Sequence, residues 1–328
     1  MEKIKLSDRG QLGKAREALK VNGGTFAAFI LIFAVSSFLS PRFCTVSNMM
    51  TILRTNACTA LCAFGMTFVI LTGNIDISIG SFMTLCGCLT SMLIAQAGAG
   101  TFTAIGIALA VAAACGYVNG FLITVIKIPA FIATLATMNI LRGICYVMTN
   151  GKPVVFSKGL FTTIGGGYAG PIPLPALYMT AAFVMLWMIL NKTKFGKHVY
   201  AVGGNAVAAR YSGINTRRTV ILVYIISGVL SAFAGILLIS KLGSGQPTIG
   251  EGAELDAIAS CVVGGVSMNG GSGTLVGSLF GCLIIGMISN VLNLIGVNSY
   301  IQLIVKGVII VLSIYLDIAK NSLAAGKK

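Results

Sequence analysis

The chain has 328 residues, of which 56% are hydrophobic and only 9% charged, and its mean hydropathy is +0.94. A soluble domain carries roughly 25% charged residues to hydrate its surface, so this composition excludes a water-soluble globular enzyme and points to lipid as the solvent. The net charge of +15 would suit a nucleic-acid partner, but such binders cluster Lys and Arg on a soluble face; here the cations sit between apolar blocks, as in the cytoplasmic loops of membrane proteins.

The N-terminal tail, residues 1–23, mixes six cations with three acids and reads as a partly helical cytoplasmic segment. The first apolar run begins near Phe26 and is followed by no small-residue cleavage site, so it is expected to persist as an anchor. Segments long enough to span a bilayer, about 20 residues each, then recur at 24–40, 46–71, 76–97, 101–124, 128–148, 174–190, 219–240, 254–268, 272–292 and 299–317. The pattern predicts an all-α polytopic membrane protein of about ten transmembrane helices, with a transmembrane domain over 24–318 and a cytoplasmic tail over 319–328. The segment 254–268 is short for a full crossing and is expected to be broken or re-entrant.

With the N-terminus inside, sixteen cations fall in inside loops and five (Arg42, Arg142, Lys152, Lys158 and Lys241) in outside loops. That bias places both termini in the cytoplasm. The outside connection 149–173 is rich in Gly and Pro and reads as an irregular or re-entrant element. The inside connection 191–218 carries six cations and no acid. Within it, residues 204–210 read as a short helix: Asn205 caps it, three alanines propagate it, and Gly213 stops it. Such a helix is either a knob for a partner's groove or part of a generic positive-inside loop.

Single residues leave alternatives open. Asp76, the only carboxylate between Glu17 and Glu251, opens an apolar span; it either lines a gate or pore mouth or caps a helix beside Ser78. Glu251, Glu254 and Asp256, beside Gln246, are candidate contacts for a hydroxyl-rich solute, or, for Glu254 and Asp256, first-turn helix charges. Arg54 and Lys306 lie inside spans and either pair with Asp76 or Asp256 or snorkel. Eight of the nine cysteines lie in apolar runs and read as small buried hydrophobes, and the one histidine, His198, leaves no second imidazole for a histidine-based metal site. Gly273, Gly277 and Gly281 recur at i+4, which favours close helix packing over phosphate binding. No Walker A sequence occurs, so nucleotide hydrolysis is expected from another chain.

GNIDISIGS (73–81), PAFIATLATMNILRGICYVMTNGKPV (129–154), GKHVYAVGGNAVAARYSGI (196–214) and QPTIGEGAELDAIASCVVGGVSMNGGSGTLVGSLFG (246–281) together resemble the ribose-type family of ATP-driven sugar importer permeases. Asn74 departs from the glycine expected before Ile75-Asp76. The resemblance implies two structurally related halves of type II ABC importer kind and a location in the bacterial cytoplasmic (inner) membrane. Implied partners are a second copy of the chain or a related permease, a cytoplasmic ABC ATPase that holds the ATP and Mg, and an extracytoplasmic sugar-binding protein. It further implies that 191–218 is the coupling loop, with Gly204, Asn205, Ala208, Ala209, Arg210 and Gly213 as the contacts. Arg42, Arg142, Lys152 and Lys158 are candidates for docking the binding protein by complementary charge. An ion-coupled secondary transporter of a small polar solute is the competing class; it would need ionisable relays within its spans.

Overall fold

The computed structural model describes residues 23–157 and 159–325. The tail before Gly23, Lys158 and the last three residues lie outside them, so the expected helical tail and the docking role of Lys158 lie outside as well.

Thirteen helices account for most of the described residues. The first five are α1 (Gly23–Leu39), α2 (Val46–Leu71), α3 (Ile79–Ala95), α4 (Thr101–Thr124) and α5 (Ala130–Thr149). After them come α6 (Leu160–Gly166), α7 (Leu174–Lys192), α8 (Lys194–Gly204) and α9 (Ala206–Tyr211). The chain closes with α10 (Thr216–Leu242), α11 (Ala253–Val263), α12 (Leu275–Leu294) and α13 (Ser299–Ala325). Six of them (α2, α4, α5, α7, α10 and α12) are long and apolar enough to cross a membrane, while α1, α3 and the first part of α13 are shorter apolar helices. At 1.5 Å per residue, α11 is only about 16 Å long, roughly half a hydrocarbon core, so 254–268 is a half-length helix ended at Gly264-Gly265. Helix α13 runs to Ala325, well past the end expected at 317.

The architecture is not purely helical. The connection 149–173 folds into β1 (Val154–Val155), α6 and a hairpin of β2 (Tyr168–Ala169) and β3 (Ile172–Pro173). Strand β1 pairs antiparallel with β4 (Ser244–Gly245), Val154 opposite Gly245, which clamps the connection to the chain leaving α10.

Burial sorts the helices into layers. The apolar windows of α2 and α10 are 78% and 67% buried, those of α4, α5 and α7 only 22–33%, so α2 and α10 form the centre and the others the rim. Helix α10 packs on α3 and α4, and α2 packs on α11 and α12, so each central helix is embraced by elements from the other end of the sequence. Lipid gives helices no hydrophobic reason to associate, so van der Waals fit and hydrogen bonds must hold the bundle. Helix α4 supplies the fit with a stripe of Ala104, Ala108, Ala112, Gly116 and Gly120 at i+4, the face it buries. A methyl group on Gly116 would overlap the Tyr224 carbonyl, and one on Gly120 the Ile221 backbone of α10. Gly277 and Gly281 of α12 bring that helix equally close to Gly264 and Ser260 of α11. Cys58, Cys62, Cys86, Cys88, Cys145, Cys261 and Cys282 are buried and unbridged, packing as small hydrophobes.

Candidate functional site

Three clusters carry the polar chemistry. The first lies at the end of the bundle where Lys127, Arg210 and Arg217 line one shallow cleft with Thr72 and Asn74. The connection 191–218 forms two helices there, not one. Helix α8 starts on Thr193, whose hydroxyl accepts from the Gly196 amide at 3.3 Å, and α9 starts on Asn205, whose side chain accepts from the Ala208 amide at 2.9 Å. Gly213, at φ +82°, turns the chain back into α10, where Asn215 caps Arg218 in the same way at 3.0 Å.

Helix α8 is seated on backbone. Gly203 lies so close to Leu71 and Gly271 that any Cβ would overlap them, whereas Gly204 faces open space. Tyr200 donates to the Gly273 carbonyl at 2.8 Å, and burial pushes its phenol pKa up, which keeps the proton on the donor. Helix α9 projects beyond this seat: Gly204, Asn205, Ala208, Arg210 and Gly213 are exposed. Ala209 is 4% exposed, so its side chain packs inward on the chain itself, unlike the five exposed residues. Val207 and Tyr211, four residues apart and 65% and 89% exposed, form an apolar ridge on the same helix that the sequence reading missed.

The second cluster surrounds Asp76, which is fully buried. One carboxylate oxygen accepts from the Ser78 amide at 3.0 Å and from the Ser78 hydroxyl; the other accepts from Ser227 of α10 at 2.9 Å. Asn119 of α4 donates to Ser78 at 3.0 Å, and Thr137 of α5 donates to Asn119 at 2.6 Å. Tyr224 donates to the Ile75 carbonyl at 3.1 Å. Asp76 is therefore tied by hydrogen bonds into a knot joining the α2–α3 turn to three helices, and Ser78, also fully buried, is part of that knot.

No cation pairs with Asp76 among the described residues. Arg54, one expected partner, instead reaches the Gly166 carbonyl and the Tyr168 hydroxyl, each at 3.1 Å, with its guanidinium over the Tyr168 ring. Lys306 pairs with Asp256 at 2.9 Å, joining α13 to the first turn of α11.

The third cluster is at the opposite end from α9. Arg142 of α5 forms an ion pair with Glu251 at 2.8 Å, which removes it from the free cations expected there; Arg42 and Lys152 remain exposed. Thr84 donates to the Ile249 carbonyl, and Gly80 packs on Gly250, so the segment after α10 lies across α3. Glu254 presents a buried carboxylate oxygen beside Gly80, and Gln246 is half-buried on Ser244.

A bundle of apolar helices around buried polar knots, with a basic end displaying a capped exposed helix, defines a membrane transport subunit. The chain belongs to the family described as branched-chain amino acid transport system / permease component, which it matches over residues 48–314. It is thus a transport component rather than an enzyme. It is 46% identical over 304 residues to the ribose import permease protein RbsC of Bacillus subtilis, covering 91% of this chain and 93% of that one. Against the ribose import permease protein RbsC of Escherichia coli K12 the identity is 43%, over 90% and 92% of the two chains. Against the L-arabinose transport system permease protein AraH of the same organism it is 35%, over 90% and 89%. No solved structure matches the chain.

Proposed function

We propose that this chain is the membrane-spanning subunit of a binding-protein-dependent, ATP-driven importer, and that its solute is a monosaccharide. The observation that carries the sugar assignment is end-to-end likeness at 43–46% identity to two ribose import permeases, much closer than a shared family description that names amino acids. Helices α1–α5 and the set α7 with α10–α13 would be two related halves of five spans each, ten in all, in a type II arrangement. The reciprocal packing of α2 and α10 supports that division. The basic end would face the cytoplasm of a bacterial inner membrane, with both termini on that side, because Lys127 and the cations of 191–218 gather there.

In this reading α9 is the coupling helix. A cytoplasmic ABC ATPase, which binds ATP and Mg, would grip Gly204, Asn205, Ala208, Arg210 and Gly213 together with the ridge of Val207 and Tyr211. Its closure would push on α8, and α8 passes the push through Gly203 to the α2–α3 turn that holds Asp76. A second copy of the chain or a related permease would complete the pathway, and an extracytoplasmic sugar-binding protein would dock near Arg42 and Lys152. Gln246 and Glu254 would sit at the outer gate, which Arg142–Glu251 latches shut.

Reconstitution into vesicles tests this directly. Labelled D-ribose and L-arabinose should accumulate only when permease, ATPase, binding protein and ATP are all present. Uptake by the permease alone, driven by a proton or sodium gradient, would instead establish a secondary transporter.

A further inference from the structure

A cavity of about 190 Å³ lies between the first half of α2, the start of α11, and helices α12 and α13. Its lining sets it apart from the rest of the bundle. Serine and threonine hydroxyls on helices in an apolar solvent normally bond back to the carbonyl four residues earlier. Thr67, Thr84, Thr90, Ser91 and Thr134 all do so here. Around the cavity, Thr55 and Thr59 of α2, Ser289 of α12 and the side-chain amide of Asn56 have no hydrogen-bond partner among the described residues, and all four line the space. Thr55 is exposed and the other three polar groups are reached by solvent, so these donors and acceptors on the cavity wall are open to water or to another polar occupant.

The same wall carries the Asp256–Lys306 ion pair. Both oxygens of Asp256 contact the one ammonium, and each side chain keeps roughly a quarter of its surface open (28% and 26%). The site thus has no net charge and is dense in donors and acceptors. That combination suits a neutral polyhydroxylated molecule better than a simple ion, whose single charge would meet like charge on one partner of the pair. The space would hold about six waters at ~30 Å³ each, and a small sugar ring with its hydroxyls could displace them.

We infer that this cavity is a monosaccharide subsite formed within a single permease chain, in which Thr55, Asn56, Thr59 and Ser289 bond the sugar hydroxyls and the Asp256–Lys306 pair supplies a strong acceptor and a strong donor. The inference rests on the sugar-importer reading and locates a point on its path. Thr59→Val removes a hydroxyl at nearly constant volume, and Thr59→Phe fills the space.

The test uses the complete transporter in vesicles. Thr59→Phe should cut D-ribose and L-arabinose uptake about tenfold or more while binding-protein-stimulated ATP hydrolysis continues, so sugar moved per ATP falls. The milder double variant Thr55→Val/Thr59→Val should lower uptake about threefold and keep the wild-type melting temperature. In a Thr59→Cys permease, millimolar sugar should slow maleimide labelling at that position but not at the exposed Cys44. Uptake per ATP at the wild-type level in both filled and hydroxyl-free variants, or labelling of Thr59→Cys indifferent to sugar, would overturn the subsite and leave a hydrated crevice only. If the wild-type complex itself moves neither sugar, the sugar-importer reading fails first and the subsite with it.

Discussion

The amide of Gly271 donates to the carbonyl of Leu71 at 2.9 Å, tying the loop after α11 to the last residue of α2 across two hundred positions of sequence. Gly203, near the end of α8, rests on both groups, and Gly270 lies against Gly73 and the Gly203 carbonyl. Three segments thus meet through backbone alone, with no side chain to cushion a movement. A displacement of α8 is passed directly to the turn that carries Asp76, and interiors packed this tightly transmit strain rather than absorb it.

This junction predicts a contrast between adjacent glycines. Gly203→Ala should destabilise the protein by about 1–3 kcal/mol, the usual cost of overpacking. Gly204→Ala, which meets open space, should stay within ~0.5 kcal/mol of wild type. Thermal unfolding in detergent, read side by side, checks both; equal stability of the two variants would show that α8 is not seated as described.

The Asp256–Lys306 pair predicts a rescue. Removing one partner of a well-buried pair costs about 3–5 kcal/mol; this pair is roughly a quarter exposed, so Asp256→Asn or Lys306→Met alone should cost about 1–3 kcal/mol, below that range. The exchanged double variant Asp256→Lys/Lys306→Asp should recover most of the loss. A double variant as unstable as the sum of the singles would show that the charges do not interact.

At the opposite end, the Arg142–Glu251 pair should matter little to stability. Glu251 keeps 56% of its side-chain surface exposed, and exposed ion pairs contribute about 0–1 kcal/mol. Glu251→Gln should therefore leave the melting temperature nearly unchanged in moderate salt. A loss above ~2 kcal/mol would mean that the pair is shielded from solvent more than its exposure indicates.

Neighbouring alanines of α9 should separate docking from folding. Ala208→Trp and Arg210→Glu are expected to fold and reach the membrane normally but to lose co-purification with the ATPase. Ala209→Trp must push a ring into a site only 4% exposed, so it should lower thermal stability by about 1–3 kcal/mol with or without the partner. Identical behaviour of Ala208→Trp and Ala209→Trp would contradict the face assigned to this helix.

Much of this was legible from residue order, for identifiable reasons. Asn205, the alanines and Gly213 signal a capped helix locally, and the structure has α9 there, shifted to 206–211. The spans 46–71 and 101–124 coincide with α2 and α4 because lipid demands long uninterrupted apolar runs. Helix α8 escaped because KFGKHVYAVGG mixes glycines, cations and β-branched residues, and its stability comes from the backbone seat on Leu71 and Gly271. The pairing of β1 with β4 involves two residues on each strand and leaves no periodic trace. Partners of Arg54 and Arg142 depend on which residues meet across the fold, which spacing does not encode, and the burial of Ala209 depends on which face of a six-residue helix turns inward. The small-residue stripe of α4 was readable and overlooked: Ala104 to Gly120 at intervals of four is the same signal as Gly273 to Gly281.

The most direct measurement uses Ala208→Cys in sealed membrane vesicles of both orientations, treated with a membrane-impermeant maleimide with and without the purified ATPase. The account predicts labelling in inside-out vesicles only, and protection when the ATPase is bound. Labelling from the outer face, or labelling in inside-out vesicles that the ATPase leaves unchanged, would contradict it.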